Sequence, residues 1–382
     1  MRIFSFSNRD ADGRLHGGPG GVNYRLFYAN EEYGLWAESY YIFSNMIIEP
    51  AQIVPHNRSM KSISELIADL KILSSTYHFC IDDIYLFHDV MYAAAFSEIF
   101  PEYRSILIYH QQGSLASEYK ANGTIADSDI KVLDQLLLTV FSRIKNIVFP
   151  SKGAMDALID TLPAMKDVLK DHKNIRIAYN GCDLPKEHRM LTQEHQQLFH
   201  SISDFDGIKL ISVSDLNTAK GVERLPEYLY SLKNSGIDFR WVIIGTGAMG
   251  DTLQKEIDRY DLSNQIIWRK DTFDNAEILC LEGLMDFYIM AHRLSIFDFA
   301  TVEAMHMGCV PVLTTVGGNI EFLNYDNGIA ISDLSDATPL VNLIHSGNLP
   351  ARKKQNITVA EENFSEKSFL LNYDQIIHEI AG

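Results

Sequence analysis

Long apolar runs are missing from this chain of 382 residues. No stretch reaches the ~18 residues a membrane-crossing helix needs, so no span is expected. The opening segment, MRIFSFSNRDADGR, lacks an apolar core and a cleavage site, and is not expected to act as a signal peptide. Cysteine is scarce. Cys80, Cys182, Cys280 and Cys309 stand far apart without a C-x-x-C pair, which argues against a zinc or disulfide framework. They predict buried free thiols in a reducing, cytoplasmic setting. Positive charge is in deficit, 33 Lys and Arg against 50 Asp and Glu, for a net −17. Such a surface repels nucleic acid and anionic membranes as general partners. It still leaves room for a local basic patch to make a peripheral membrane or partner-protein contact. Gly-x-Ser-x-Gly and Walker loops are absent, as are His/Cys/Glu sets at metal-ligand spacing, so no metal site is expected.

What is present is the composition of a globular protein, 46% apolar and 22% charged, long enough for two domains with separate cores. Strands are predicted at Arg2–Ser7, Ser39–Phe43, Ile84–His88, Ser105–Tyr109, Asn146–Pro150 and Ile175–Tyr179, with helical patterns between them. The polar segment Gly181–Ser203 reads as a linker. The alternation then restarts with strands at Lys209–Val213, Arg240–Gly245, Gln265–Arg269, Phe287–Ala291 and Val310–Thr314. Helices are expected at Val222–Ser231, Asp251–Arg259, after Asp298 and over Ser365–Ile380. Strands separated by helices give an α/β class with parallel, doubly wound sheets. The expected domains are 1–185 and 186–362, with a terminal helix at about 363–382.

The run from Ala291 to Ile331 is the most informative. Asp298 suits the N-cap of a helix whose first turn, Phe299, Ala300 and Thr301, offers backbone N–H groups and a positive dipole end to an anion. Glu303, one turn in, could accept hydrogen bonds from a diol such as a ribose. Gly245-Thr246-Gly247-Ala248-Met249-Gly250 fits G-x-G-x-x-G after a strand. It follows the second strand of its domain, and no acidic strand end stands ~20 residues on, which counts against a dinucleotide site. Gly17–Gly21 reads as a flexible loop whose N–H groups can approach a phosphate, ahead of a helix beginning near Val22. His110 ends a parallel strand, where polar residues face the ligand crevice; His88-Asp89 ends the preceding one.

The segment T-V-E-A-M-H-M-G-C-V-P-V-L-T-T-V-G-G-N-I-E resembles the donor-domain signature of GT-B glycosyltransferases, specifically retaining family four (glycosyl transferases group 1). Its pattern is Glu, seven residues, Glu-Ala-Met, then Gly-x-Pro-Val-Val and Gly-Gly-x-x-Glu. The second Glu falls on Glu303; the first falls on Ser295, a departure. L-I-S-V-S-D-L-N-T-A-K-G resembles the family's first donor strand with its Arg and Lys-Gly phosphate clamp. Lys220 matches the Lys, whereas Asp215 stands where the Arg belongs, leaving Arg269, Lys270 and Arg293 to compensate. The resemblance also implies that Gly245 and Gly247 line the nucleotide-sugar cleft, that Gly20 and Gly21 touch the donor, and that His110 lies near the donor sugar. Asp10/Asp12 and Asp127/Asp129 formally match the metal-binding Asp-x-Asp of the other glycosyltransferase fold. Neither pair follows an apolar strand, and both read as solvated loops.

The expectation is therefore a GT-B enzyme of two Rossmann-like domains. The resemblance implies transfer of a hexosyl or N-acetylhexosaminyl group from a nucleotide-diphosphate sugar, a UDP-sugar foremost, with retention and without metal or cofactor. The acceptor would be a surface glycan or glycoprotein. Lys220, Glu303 and His110 would carry catalysis. Ser295, Phe299, Ala300 and Thr301 would join the glycines, Arg269 and Lys270 in holding the donor. The alternative is a degenerate GT-B protein serving as a non-catalytic partner, for which Ser295 and Asp215 speak.

Overall fold

The computed structural model describes residues 1–7, 18–36, 39–43, 46–49, 52–55, 62–121, 126–172, 174–183, 193–271 and 273–382. The chain forms two compact units, Met1–Gly181 with Glu366–Gly382, and Cys182–Ser365.

The first unit is built on β1 (Ile3–Phe6), β2 (Tyr40–Phe43), β3 (Met46–Glu49), β4 (Gln52–Pro55), β5 (Ile84–Phe87), β6 (Arg104–Ile108), β7 (Asn146–Phe149) and β8 (Asn174–Ile177). Their order in the sheet is β4-β3-β2-β1-β5-β6-β7-β8. The strands run parallel except where β3 pairs antiparallel with both β2 and β4. Every residue of β1, β5 and β7 is buried, as expected of parallel strands covered on both faces. An aromatic cluster fills one side: Phe6 stacks on Phe43 and Phe87 at 5.1 Å, and Phe96 lies 4.6 Å from Tyr85. The terminal helix Glu366–Ala381 returns to this unit. There Trp36 Nε1 donates to Asp374 Oδ1 at 2.8 Å, and Arg176 bonds Glu379.

The second unit holds β9 (Ile208–Val213), β10 (Phe239–Ile244), β11 (Ile266–Arg269), β12 (Phe287–Met290), β13 (Val310–Thr314) and β14 (Ile329–Ile331), all parallel, in the order β11-β10-β9-β12-β13-β14. The chain builds outward from β9 to β11, then returns to β12 on the other side. The reversal lies between β9 and β12, where an open parallel sheet leaves a crevice beyond its carboxyl ends. In the first unit the corresponding point lies between β1 and β5.

Four expectations change. The β3–β4 hairpin was not foreseen. Gly18–Gly21 are not a loop but the first turn of the helix Gly18–Tyr33, since Pro19 is preset for a helical first turn and has no N–H to lose there. The expected linker contains the helix Gln193–Ser203, which buries His195, Leu198 and Ile202. Asp127 and Asp129 open the helix Asp127–Arg143 instead of lying in a loop. Gly17, Asp10, Asp12 and residues 184–192 lie outside the described residues. Of the cysteines, Cys182 and Cys309 are buried, while Cys80 is exposed. Among the described residues no helix is long and apolar enough to cross a membrane.

Candidate functional site

The loops that follow β9 and β12 meet at the reversal point of the second sheet. Arg293 N–H donates to Ala219 O at 2.8 Å, and the Arg293 guanidinium reaches Thr218 O at 2.9 Å. Gly221 lies so close that a Cβ there would stand 2.0 Å from the Ala291 carbonyl oxygen, and its φ of +63° also favours glycine. The loop after β13 closes on the same place, with Gly318 N–H donating to Ser295 O at 3.0 Å. These backbone contacts fix Lys220 opposite the start of the helix Phe299–His306.

Lys220 Nζ donates to both carboxylate oxygens of Asp298, at 2.7 and 2.6 Å. Asp298 occupies the N-cap position with suitable extended backbone, yet its side chain makes no capping bond. It is instead held between Lys220 and His292, whose Nε2 lies 3.0 Å from Asp298 Oδ2. Burial works against the Asp298 charge, but Lys220 and His292 outweigh it and keep the carboxyl far below its ordinary range. His292 is fully buried, and burial holds it neutral, below its usual value. With Nε2–H committed to a carboxylate, Nδ1 accepts from Asn319 Nδ2 at 3.2 Å. That amide is oriented by a second bond to Thr314 O.

Glu303 lies on the same helix, half-buried, and its Oε1 accepts from Asn275 Nδ2 at 3.2 Å. Phe299 and Ala300 begin the helix. Thr301 is fully buried and lies beside the Tyr288 phenol. Ser295 is 5% exposed, and its hydroxyl has no hydrogen-bond partner among the described residues. Asp215 is exposed on the loop after β9, while Arg293 forms a tight ion pair with the buried Glu223.

Gly245 and Gly247 carry β10 into its helix. A Cβ on Gly245 would stand 2.0 Å from Ser214 O, so only glycine lets this turn close on the loop after β9. The turn is sealed by Leu216 N–H to Thr246 O at 2.8 Å and Met249 N–H to Leu216 O at 2.9 Å. Beside it opens a groove of about 290 Å³ lined by Thr246, Gly247, Ala248, Asp251, Trp268 and Lys270. Trp268 Nε1 donates to Gly245 O, and Lys270 Nζ sits 4.1 Å from the Trp268 ring centroid, a cation–π contact. Arg269 turns away to bind both oxygens of Asp271. Asp271 also meets His195 Nε2 at 3.1 Å, and Glu277 meets His195 Nδ1 at 2.7 Å. Burial opposes a charge on His195, but the two carboxylates outweigh it and raise its pKa. The Arg269 bonds hold Asp271 well below the ordinary carboxylate range.

In the first unit His110, beyond the end of β6, stacks on His88, beyond the end of β5, with ring centroids 5.3 Å apart. Nδ1 of His88 and Nε2 of His110 lie 3.1 Å apart, the distance of a hydrogen bond in which one ring donates to the other. Burial lowers both values, His110 to about 3, so both rings are neutral. Gly20 and Gly21 sit in the first turn of the helix after β1. Among the described residues no group of three or more His, Cys, Asp or Glu is placed to hold a metal ion.

Residues 195–346 match the family model described as Glycosyl transferases group 1. The second unit is a group 1 glycosyltransferase domain. Along the whole chain the fold is similar to that of a glycosyltransferase from Rickettsia africae ESF-5, at 15% identity and TM-score 0.70, covering 99% of this chain and 98% of that one. Sucrose-phosphate synthase from Thermosynechococcus elongatus matches at 12% identity and TM-score 0.72, covering 100% and 99%. Anabaena Alr3699/HepE, solved in complex with UDP, matches at 15% and 0.67, covering 99% and 100%. These likenesses show the GT-B fold, two doubly wound α/β units in one chain. No curated protein is a significant match in sequence.

In this group 1 glycosyltransferase domain, Lys220, Ser295, Phe299, Ala300 and Thr301 gather at the reversal of the sheet, with Glu303 one turn into the same helix. Gly245, Gly247 and Lys270 line or flank the neighbouring groove, and Arg269 is drawn into an ion pair beside it. His110, Gly20 and Gly21 belong to the other unit. Sequence reasoning overlooked His292, Asn319, Asn275 and Trp268, and took Asp298 for a helix cap. His292 was legible, because it follows β12 as His110 follows β6.

Proposed function

We propose that this chain transfers a sugar from a nucleotide-diphosphate donor, a UDP-sugar foremost, to a glycan or glycoprotein acceptor with retention of configuration. The observation that carries the reading is the meeting of Lys220, a helix N-terminus and Glu303 beyond the carboxyl ends of β9 and β12. Lys220 and the helix dipole suit the charge that builds on a departing diphosphate. Glu303 suits a ribose diol, and the groove under Trp268 gives an aromatic wall for a base. In the first unit His110, neutral and buried beside His88, suits a hydrogen bond to a sugar hydroxyl. The UDP in the Anabaena structure is in keeping with the same donor class.

A panel of nucleotide sugars, assayed for transfer and for slow donor hydrolysis, tests this. UDP-sugars are expected to turn over, and activity to survive EDTA because Lys220 and the helix meet the phosphate charge. Complete loss in chelator with rescue by Mn²⁺ or Mg²⁺ would contradict the metal-free mechanism.

The second reading, a GT-B protein that binds without catalysing, draws on the Lys220–Asp298 pair. A phosphate-binding lysine already neutralised by a carboxylate is what lost chemistry would leave. Absence of turnover with every donor, in a folded protein, would favour it.

A further inference from the structure

Several cations at this edge of the second sheet are already engaged, among them Arg224, which donates to Ala291 O at 3.1 Å. Arg293 is bound to Glu223, Arg269 to Asp271, and Lys270 lies exposed over Trp268. Lys220 is bound through both oxygens of Asp298, the residue just ahead of the helix Phe299–His306. Asp298 is a carboxylate one residue ahead of the helix, in a place that would suit an anionic ligand. Its backbone, φ −82° and ψ 125°, would permit ordinary capping, but the side chain leaves the first-turn N–H groups and takes Lys220 instead. His292 and, through it, Asn319 hold the carboxylate in that position. Lys220 and Asp298 keep only 18% and 22% of their side-chain surface exposed, so solvent screens the pair weakly.

From this arrangement we infer that Asp298 is an internal counter-anion, seated where the donor's diphosphate binds, and that donor binding requires Lys220 to exchange Asp298 for phosphate. The inference rests on the donor reading given above and adds to it a residue that opposes the donor. Two anions compete for one lysine, and the carboxylate, tethered in place, sets the affinity the phosphate must overcome. After exchange, Asp298 keeps its bond from His292 Nε2–H but remains a negative charge beside the diphosphate. The residue therefore selects for a ligand with enough phosphate charge to win Lys220, and disfavours weaker anions. It is a specificity-determining residue, and its removal has the opposite sign from the loss of an ordinary binding residue.

Calorimetric titration of the full chain with UDP, inorganic pyrophosphate and uridine tests this. Asp298→Asn keeps an oxygen acceptor for His292 and removes the charge. It is expected to bind UDP and pyrophosphate about tenfold or more tighter than the natural chain, with uridine affinity unchanged. The gain should vanish in the Lys220→Ala/Asp298→Asn double variant. Asp298→Ser, whose hydroxyl can cap the helix, is the second variant should the amide perturb folding, and the same gain is expected of it. Equal or weaker UDP binding in a folded Asp298 variant would overturn the inference and make Asp298 a residue that positions Lys220. If the natural chain binds UDP but the variants do not gain, only this inference falls. If no nucleoside diphosphate binds to the natural chain or to the variants, the donor reading falls with it.

Discussion

Glu282 places its carboxyl in the interior, 0% exposed, with neither oxygen partnered among the described residues. Burial first, and the nearby Glu303 second, push its pKa well above the ordinary value. The folded state therefore holds a proton that the unfolded chain gives up near pH 4.5. The stabilisation from that proton is complete below the unfolded value and is lost as pH rises toward the folded one. Glu282→Gln keeps the shape and removes the titration. Thermal melts are expected to show the variant melting above the natural chain at pH 8, with the difference shrinking toward pH 4. A variant less stable at pH 8 would mean that the carboxylate is ionised and held by a favourable contact.

At the scale of elements, the helix Gln193–Ser203 is fixed to the second unit through His195, whose two ring nitrogens face Glu277 and Asp271 and whose ring stacks on Phe273 at 3.9 Å. Glu277 is also half of the capping box with Asp274 that starts the next helix, and Asn275 in that helix holds Glu303. The raised pKa of His195 means that its contribution is full below the ordinary value of 6.5 and is lost as pH climbs through the folded one. His195→Ala is expected to lose about 1.5–3 kcal/mol at pH 6, the scale of a hydrogen bond to a charged group. Urea titrations should show that gap narrowing above neutrality; a gap independent of pH would show a neutral ring. This helix was legible, since His195, Leu198 and Ile202 recur at helical spacing, but its polar face masked the pattern. The β3–β4 hairpin was harder to see. Both strands are only four residues long, and β4, the edge strand, ends in Pro55; an edge strand needs no continuous apolar run. Strands paired on both sides and buried throughout, such as β13, declared their own boundaries. In the helix Gly18–Tyr33, packing overrode the low helix propensity of three glycines.

At the scale of the molecule, an excess of 17 negative charges repels a diphosphate at a distance, so the local cations decide whether one binds. The motif glycines and Lys220 were legible as a group because tight approach and phosphate chemistry restrict which residues can serve. The partners of Lys220 were not, because Asp298 lies 78 positions away and only the fold brings the two together. The most direct measurement is calorimetric titration of the natural chain, Lys220→Ala and Glu303→Ala with UDP. The account predicts binding by the natural chain and a loss of roughly ten- to hundredfold in each variant, the 1.5–3 kcal/mol of a charge-assisted hydrogen bond. Unchanged affinity in both folded variants would contradict it.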